Sequence, residues 1–333
     1  MKKRDGNIDD EMRAVVIDRF GGPEVLSIKT VPTPESEPEQ ILIRVESAGL
    51  GIWDAGERQG MVAQMLGIKP TFPWILGSEG AGKVVAIGDR VNKFRVGDSV
   101  YGIAWATNPK AGFFAEYKTL GSDWASPVPS NLAMGEAGAL MIDGVVAFRG
   151  IDDILRVKSG EKLMIFGASG GIGHLAIQFG TRIGAHVFAV SSGEDGAALA
   201  RRLGAEDAVD GHSADIVAAA RKFAPTGFDA ALFAAGGEAA DRAVTTLRDG
   251  GRIAHPFGLS LSRVPSSVRE LSYSESTYWN KPDHETMSNL NRQIEAGPFE
   301  VHLGGTFSLD HVQDAFRALD SHYLGRLAIL PDK

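Results

Sequence analysis

The chain has 333 residues, of which 44% are hydrophobic and 23% are charged, and this is enough for two domains with sizeable cores. Its formal net charge of -8 argues against nonspecific nucleic-acid binding, because that binding requires a basic surface. No run reaches the roughly 20 apolar residues of a membrane helix. The absence of cysteine excludes disulfides and thiolate metal ligands. The basic residues 1–4 lead into acidic ones, so we expect no signal peptide and a cytoplasmic protein.

From residue 14 to about residue 120, short apolar runs alternate with turn residues. Apolar or alternating segments occur at residues 14–17, 41–45 and 84–87. Glycine and proline separate them, as in Gly21-Gly22-Pro23. Short strands with turn residues at this spacing predict a compact, partly open β-barrel.

Beyond residue 127, helical and strand-like patterns alternate, beginning with a helical period over residues 134–155. This alternation predicts βαβ units on a parallel sheet. The predicted strands are residues 163–166, 186–190, 208–209, 229–233, 252–254 and 326–330. The predicted helices are residues 171–183, 197–203, 214–223, 239–247, 284–295 and 309–319.

The strongest local pattern is Phe-Gly-Ala-Ser-Gly-Gly-Ile-Gly at residues 166–173, between a predicted strand and a predicted helix. That context is typical of a dinucleotide-binding loop. Gly167 permits the tight turn, Gly170 lets backbone approach a pyrophosphate, and Gly173 lets helix and strand pack closely. A structural glycine-rich turn is the alternative. The predicted cofactor-binding residues of the loop are Gly167, Ser169, Gly170, Gly171, Ile172 and Gly173.

The next predicted strand ends in Ser191-Ser192. Sites that prefer NAD usually have Asp or Glu here, to bind the ribose 2′-hydroxyl. Serine leaves room for a 2′-phosphate and can donate a hydrogen bond to it, and Arg201 on the following helix can supply positive charge. A solvated surface arginine is the alternative for Arg201. We predict that Ser191, Ser192 and Arg201 bind the cofactor, together with Ala235 and Phe257.

Several blocks of the sequence resemble the quinone-oxidoreductase-like branch of the medium-chain dehydrogenase/reductase superfamily. They are the glycine loop and residues 21–26, 76–82, 96–102 and 307–327. The resemblance implies a GroES-like, β-rich catalytic domain at residues 1–126, to which residues 266–333 return. It implies a Rossmann domain with a doubly wound parallel sheet at residues 127–265, and a homodimer.

The zinc alcohol dehydrogenases of this superfamily hold their catalytic metal with Cys, His and Cys. The matching positions here are Gly51, Ser78 and Ile142, and none of these side chains is a usual zinc ligand. The resemblance therefore implies a zinc-free enzyme that reduces quinones or α,β-unsaturated carbonyls by hydride transfer. It implies NADPH as the cofactor, with NADH as the alternative and no metal.

Residues 49–60 resemble the active-site loop of the family. Asp54 and Arg58 match its recurrent acidic and basic positions, and we predict that they are catalytic. An Asp–Arg pair four residues apart is also typical of a structural clamp, so this alternative stays open.

The family often has a tyrosine at the position of Gly56, where it donates a hydrogen bond to the substrate. That donor is missing here, and we expect Trp53 to fill the space. Tyr278 and Tyr101 are the alternative donors, although aromatic core packing is the commoner role of such residues. We predict that Trp53, Trp105 and Tyr278 bind the substrate.

The phosphate-binding pattern of NADPH-using relatives is also incomplete. They often have a lysine near Asp195 or Gly196 and a tyrosine at Gly211, and this chain has neither. Glu194 and Asp195 repel a 2′-phosphate, whereas His212 and Arg201 are the candidates that compensate.

Three functions remain open. The first is an NADPH-dependent quinone or enone reductase acting on a small molecule. The second is a catalytically silent NADPH-binding sensor or regulatory protein, which the missing tyrosine favours. The third, a zinc-type alcohol dehydrogenase, requires a metal that the matching residues do not hold in the usual way.

Overall fold

The computed structural model describes residues 3–4, 8–65, 67–104, 111–256, 258–272 and 284–331. The strands are β1 (Lys3–Arg4), β2 (Glu11–Ile17), β3 (Ser27–Pro32), β4 (Gln40–Leu50), β5 (Trp74–Ile75), β6 (Glu79–Ile87), β7 (Ser99–Ile103), β8 (Tyr117–Gly121), β9 (Ala125–Pro127), β10 (Lys162–Phe166), β11 (His186–Ser191), β12 (Asp207–Asp210), β13 (Phe228–Phe233), β14 (Leu247–His255), β15 (Arg269–Ser272), β16 (Leu303–Ser308) and β17 (Arg326–Leu330). The helices are α1 (Ile52–Arg58), α2 (Met61–Met65), α3 (Met134–Ala137), α4 (Met141–Arg149), α5 (Gly171–Ile183), α6 (Gly193–Arg202), α7 (Ile216–Phe223), α8 (Glu238–Ala243), α9 (His284–Glu295) and α10 (Val312–Ala318). None of the described helices is long and apolar enough to cross a membrane.

The chain divides into two compact units, Met1–Ile142 with Ile294–Lys333, and Asp143–Gln293. These limits differ from the predicted domain limits at residues 126 and 265. The segment that follows residue 127 stays with the first unit because the Gly49 amide donates to the Gly138 carbonyl at 2.7 Å. The segment that follows residue 265 begins in the second unit because β15 pairs with β14.

The first unit is built on two β-sheets. Its larger sheet has the order β16-β17-β4-β6-β7-β9, with β1 beside β6 and β8 beside β4, and its smaller sheet has the order β3-β2-β5. The β4–β6 and β6–β7 pairs are antiparallel, and they join the short strands that the alternating segments predicted. Ile41, Ile43 and Val45 of β4 are fully buried, and they belong to the core of this unit.

The second unit has a parallel sheet of six strands in the order β12-β11-β10-β13-β14-β15. In chain order within the unit this is 3-2-1-4-5-6, the doubly wound Rossmann arrangement. The central strand β10 is almost entirely buried, which explains its continuous apolar sequence. Phe166 and Phe233 stack at 5.4 Å between ring centroids in the core.

The predicted helix over residues 134–155 is interrupted in the structure. The carbonyl of Gly138 accepts from the Gly49 amide, and the Ile142 amide donates to Glu79 Oε2 at 2.7 Å. These two bonds replace the helical bond that would join Ile142 to Gly138, so α3 and α4 are separate helices. A π-helical turn, Gly150–Ile154, then follows α4.

Candidate functional site

The glycine loop joins β10 to α5 at the carboxyl end of the parallel sheet. Gly167 has φ +79°, in the left-handed region that favours glycine. The amides of Gly167 and Ala168 donate to the Val190 carbonyl at 3.0 and 2.9 Å, which ties the loop to the end of β11. A Cβ atom at Gly173 would overlap the Gly167 carbonyl, so glycine lets α5 begin this close to the loop.

The loop fits an anionic pyrophosphate. A Cβ atom at Gly170 would meet only the Gly167 carbonyl, at 3.6 Å, so there is open space in front of this residue. The first amides of α5, those of Gly171 and Ile172, have no intrahelical acceptor and carry the positive end of the helix dipole. Ala235 lies on the other side of the loop, against Gly167. The predicted loop residues and Ala235 therefore come together.

Ser191 and Ser192 lie at the end of β11, beside the glycine loop. The Ser192 amide donates to Ser169 Oγ at 3.1 Å, so the Ser169 hydroxyl connects the two loops. Ser191 is 4% exposed, and its Oγ has no hydrogen-bond partner among the described residues. The Ser192 hydroxyl lies 3.0 Å from His212 Nε2.

Asp210 ends β12, directly beside Ser191 in the parallel register. Its Oδ1 accepts from the amides of Gly193 and His212, both at 3.0 Å, and its Oδ2 accepts from Ser213 Oγ at 2.9 Å. The His212 amide is the main cause that lowers the pKa of Asp210, and the Ser213 hydroxyl adds to the effect. Asp210 thus orders the loop that carries His212.

The structure does not bring Arg201 to the two serines. Arg201 lies near the end of α6, about 13 Å along the helix axis from Ser192. Its guanidinium donates to the Ala208 carbonyl and lies 3.7 Å from Asp207. The basic side chain beside Ser192 is instead His212, which the sequence indicated only as one of two compensating residues.

Packing restricts the size of side chains at Gly196 and Gly211, two of the positions that carry the phosphate-binding pattern of NADPH-using relatives. A Cβ atom at Gly196 would lie 2.8 Å from Ser169 Cβ and 3.2 Å from Ser191 Cβ. A Cβ atom at Gly211 would lie 3.0 Å from Val190 Cγ1. Because α6 and the loop after β12 approach β11 so closely, neither position accepts a long side chain without a shift.

In the first unit, Asp54 connects the start of α1 to the turn before β6. Its Oδ2 accepts from the Gly51 amide at 2.9 Å, and its Oδ1 accepts from the Ser78 amide at 3.1 Å and the Ser78 hydroxyl at 3.0 Å. Asp54 is 3% exposed. These contacts cap the start of α1 and hold the Ser78 turn against it, so they give Asp54 a structural role that does not involve Arg58.

The three positions that match zinc ligands lie around one polar cluster, defined here as Asp54, Ser78, Glu79 and Arg326. Arg326 donates to Glu79 Oε1, and the Ile142 amide donates to Glu79 Oε2. A Cβ atom at Gly51 would lie 3.1 Å from Arg326 Nη1. No group of three or more His, Asp or Glu side chains suited to a metal was found among the described residues. No local sequence pattern indicates the pairing of Glu79 with Arg326, because the contact joins distant segments.

Arg58 does not pair with Asp54. Its guanidinium lies over the Phe316 ring, 5.0 Å from the centroid. The side chain is 4% exposed, and its Nε and Nη1 atoms have no hydrogen-bond partner in the described parts of the chain. Burial lowers the pKa of Arg58, which the carboxylates of Glu24 and Asp320 partly oppose. The Asp54–Arg58 clamp, which was the structural alternative for this pair, is therefore not formed.

Gly56, the position of the family's tyrosine, lies near an apolar surface. A Cβ atom there would meet Met61, at 3.5 Å from its Sδ. Ile52, Met61 and Met65 are 77%, 60% and 42% exposed, which makes them the large apolar side chains exposed in the described ranges. We call these three residues the apolar patch. Trp53 is half-buried on the same helix.

The other predicted aromatic residues are distributed differently. Tyr101 is fully buried in β7, and burial raises the pKa of its phenol, with the carboxylates of Glu295 and Glu79 adding to the rise. This environment keeps the phenol neutral. Trp105, Tyr278 and Phe257 lie outside the described residues.

Two family models match the chain. The alcohol dehydrogenase GroES-like domain matches residues 37–130, and the zinc-binding dehydrogenase family matches residues 171–279. The first match covers β4 to β9 of the first unit, and the second includes α5 and most of the parallel sheet of the second unit.

Three relatives show the range of related proteins. Quinone oxidoreductase of Mus musculus is 31% identical over 209 residues, 62% of this chain and 60% of that protein. An alcohol dehydrogenase of Rhizobium meliloti is 30% identical over 267 residues, 73% of this chain and 76% of that protein. The chloroplastic NADPH-dependent alkenal/one oxidoreductase of Arabidopsis thaliana is 29% identical over 336 residues, 98% of this chain and 81% of that protein. The chain thus spans about 60% of the length of the mouse relative.

A solved structure agrees with the fold throughout. The quinone oxidoreductase from Coxiella burnetii superposes with a TM-score of 0.82 at 28% identity, and the match covers 96% of this chain and 99% of that one. The predicted GroES-like and Rossmann fold class is confirmed. The chain belongs to the medium-chain dehydrogenase/reductase superfamily, in its quinone-oxidoreductase-like branch.

Proposed function

We propose that the chain is an NADPH-dependent, metal-independent reductase that transfers hydride to quinones or α,β-unsaturated carbonyl compounds. The observation that carries the proposal is the hydrogen-bonded polar cluster around Gly51, Ser78 and Ile142. At these positions a zinc enzyme needs thiolate and imidazole ligands, whereas here Ser78 donates to Asp54 and the Ile142 amide donates to Glu79. The alkenal/one and quinone oxidoreductase relatives support the same function.

The cofactor would be held by the glycine loop and the end of β11. The amides at the start of α5 would bind the pyrophosphate, and Ser191, Ser192 and His212 would contact the adenosine ribose. When bound, the nicotinamide supplies the hydride. The protein's task is to hold an electrophilic carbon close to it and to stabilise the charge that develops on oxygen.

The proposed class of hydride acceptor follows from the side chains near Gly56 and Asp54 in the first unit. A simple ketone needs a strong electrophile at its oxygen, whereas a quinone or enone spreads the developing charge through conjugation. The family's tyrosine is absent at Gly56, and Asp54 is committed as an acceptor to Gly51 and Ser78. We therefore assign Asp54 a positioning role rather than proton transfer. The exposed apolar patch beside Gly56 supports an apolar, ring-sized acceptor.

The test is NADPH oxidation by the purified full chain with 1,2-naphthoquinone and with a 2-alkenal, followed by identification of the reduced products. We expect turnover with at least one acceptor, and unchanged turnover after treatment with a metal chelator. NADPH binding without turnover across a broad acceptor panel would favour the sensor alternative instead. One retained zinc ion per chain, together with alcohol oxidation, would favour a zinc-type alcohol dehydrogenase.

We also propose a homodimer. Among the described residues β15 is the last strand on one side of the parallel sheet, and a second copy would pair with it across a two-fold axis. Light scattering should give twice the 35.4 kDa chain mass, and the single-chain mass would contradict the proposal.

A further inference from the structure

Two of the three side chains in the apolar patch are methionine thioethers. Met61 and Met65 are the first and last residues of the short helix α2, and they are 60% and 42% exposed. A spacing of four residues places both on one side of a helix. Val62 and Ala63, which lie between them in sequence, are buried and hold α2 against the first unit. The large apolar side chains that α2 exposes are therefore both methionines.

Sulfur oxidation in this chain can occur only at methionine, because the sequence has eight methionines and no cysteine. A dissolved oxidant reaches exposed thioethers more readily than buried ones. Met134 is half-buried, and Met1 lies outside the described residues. The remaining methionines of the described ranges are buried: Met12, Met141, Met164 and Met287. Met61 and Met65 are thus the methionines that a dissolved oxidant reaches most easily in the described part of the chain.

Met61 lies beside the position at which the family often has a tyrosine. A Cβ atom at Gly56 would lie 3.5 Å from Met61 Sδ and 3.9 Å from Met61 Cβ, whereas Met65 does not come within 4 Å of the same point. The turn between the two helices is hydrogen-bonded, since the Gly60 amide donates to the Glu57 carbonyl at 2.9 Å. Of the two exposed methionines, Met61 is therefore the one whose sulfur is adjacent to the proposed acceptor position.

We propose that Met61 is an oxidation site that controls the binding of apolar acceptors. Hydrogen peroxide converts its thioether to the sulfoxide, and the oxidised apolar patch binds apolar rings less tightly. A thioether is apolar and adaptable, whereas a sulfoxide is polar, so the patch becomes polar where it meets Gly56. The effect on hydride acceptors rests on the proposed function, but the oxidation itself does not.

The oxidation transfers one oxygen atom to sulfur. The Met61 sulfur attacks one oxygen of hydrogen peroxide, an S–O bond forms as the O–O bond breaks, and the other oxygen leaves as water. The sulfur is oxidised and the peroxide is reduced, so no further reactant is needed. Methionine sulfoxide reductases reverse the change. Met61 can therefore act as a reversible switch.

The proposed reaction can itself supply the oxidant. A hydroquinone product that reacts with O₂ gives up two electrons and two protons, which regenerates the quinone and forms hydrogen peroxide. A saturated aldehyde, the product from a 2-alkenal, does not react in this way. Turnover with a quinone in air should therefore oxidise Met61, and turnover with a 2-alkenal should not.

The first experiment does not require turnover. The purified full chain is treated with hydrogen peroxide, the peroxide is removed with catalase, and the sulfoxides are located by peptide mass spectrometry. We expect oxidation of Met61 and Met65 at peroxide concentrations that leave the buried Met12 and Met164 unchanged. Binding of anilinonaphthalene sulfonate, a fluorescent probe of apolar surface, should weaken after oxidation. Unfolding would have the opposite effect and increase the fluorescence of this probe.

Three variants assign the effect to one sulfur atom, and each is compared with its own untreated sample. Met61→Leu is apolar and Met61→Gln is polar, and neither can be oxidised at this position. Met65→Leu is the matched control, because it removes the other exposed thioether of α2. Peroxide should raise KM for 1,2-naphthoquinone on the order of tenfold in the native chain and in Met65→Leu. It should leave KM unchanged in Met61→Leu and Met61→Gln, and a methionine sulfoxide reductase should restore the native value.

Turnover in air tests the link to the product. The rate with 1,2-naphthoquinone should decline during the reaction of the native chain, and catalase should prevent the decline. The rate with a 2-alkenal should show no such decline. In Met61→Leu the decline with the quinone should be absent.

The inference is overturned if Met61 stays unoxidised while buried methionines react. It is also overturned if peroxide weakens probe binding equally in Met61→Leu and in the native chain. The proposed function fails separately. If probe binding shows the Met61-dependent loss but no acceptor is reduced, the oxidation site stands and the reductase proposal does not.

Discussion

The carboxylate of Asp210 orders the loop that contains His212. Its carboxylate accepts from the amides of Gly193 and His212, and these bonds lower its pKa below the ordinary 3.8. A lowered folded-state pKa means that the stabilisation is complete above the unfolded pKa and disappears as the pH falls through the folded pKa. We therefore expect the loop to loosen only in acid, below about pH 4.

Asp210→Asn should loosen the same loop at neutral pH. Hydrogen exchange at the amides of Gly193 and His212 should accelerate on the order of tenfold, because their common acceptor loses its charge. Asp207→Asn is the control at the other end of β12, where the carboxylate accepts from the adjacent Ala208 amide. Equal exchange at Gly193 and His212 in both variants would contradict the role assigned to Asp210.

A substitution at Gly56 tests whether a tyrosine hydroxyl at this position can donate a hydrogen bond to the acceptor. A Cβ atom there makes only ordinary contact with Met61, so a larger side chain can be added. Gly56→Tyr should raise kcat/KM for a quinone on the order of tenfold relative to Gly56→Phe, because the two differ only in the hydroxyl. Both variants should keep α1 stable, since tyrosine and phenylalanine favour helix over glycine by roughly 0.5 kcal/mol. Equal kcat/KM values would show that position 56 does not reach the acceptor.

At the scale of elements, substitutions in the glycine loop and at the start of α5 can distinguish an effect on stability from an effect on cofactor binding. Gly173→Ala places a methyl group against the Gly167 backbone, and such overpacking costs about 1–3 kcal/mol. Gly170→Ala is free of this clash, because its methyl group projects into the open space that a pyrophosphate would fill. Gly170 is also extended, with φ -85° and ψ -176°, which alanine adopts readily.

We therefore expect opposite effects from these two substitutions. Gly170→Ala should weaken NADPH binding on the order of tenfold while leaving the thermal midpoint close to native. Gly173→Ala should lower the thermal midpoint clearly. Calorimetric titration measures the NADPH affinity, and thermal unfolding measures the midpoint. A Gly170→Ala protein with native NADPH affinity would show that the pyrophosphate does not bind at this loop.

The helices and strands that the sequence predicted well are those whose apolar periodicity and flanking residues determine them. The strands β10 and β11 and the helix α5 lie close to their predicted bounds, because apolar periodicity and the flanking Gly170 and Gly184 encode them. The break between α3 and α4 was not predictable in this way, since the amide that donates to the Gly138 carbonyl belongs to Gly49 in the distant strand β4.

In the candidate site too, local patterns were predictable and contacts between distant segments were not. The glycine loop follows from the sequence because its glycine spacing between a strand and a helix is a local pattern, although its hydrogen bonds to Val190 and Ser192 join distant residues. Ser191 and Ser192 follow from the strand that precedes them. Arg201 lies on the expected helix, but its side chain turns to β12, which periodicity does not specify. The contacts between Asp54 and Ser78 and between Glu79 and Arg326 join distant segments, so no local pattern indicates them.

At the scale of the whole chain, one buried ion pair joins the two sequence segments of the first unit. Arg326 on β17 donates to Glu79 on β6, and the two side chains are 9% and 1% exposed. Arg326 Nε also donates to the Ala139 carbonyl at 3.2 Å. Because Glu79 holds the Ile142 amide as well, this pair fixes β17 and the start of α4 against the barrel.

Arg326→Met should destabilise the first unit by about 3–5 kcal/mol, because it leaves the Glu79 carboxylate buried without its cation. Adding Glu79→Gln to Arg326→Met should recover part of this loss, since the uncompensated charge is then removed while an acceptor for the Ile142 amide remains. Urea unfolding followed by tryptophan fluorescence measures the first unit, where Trp74 is buried. A double variant no more stable than Arg326→Met would show that packing, and not charge, makes Arg326 important. Recovery would instead show that the cluster at the zinc-matching positions is held together by charge pairing within the protein itself.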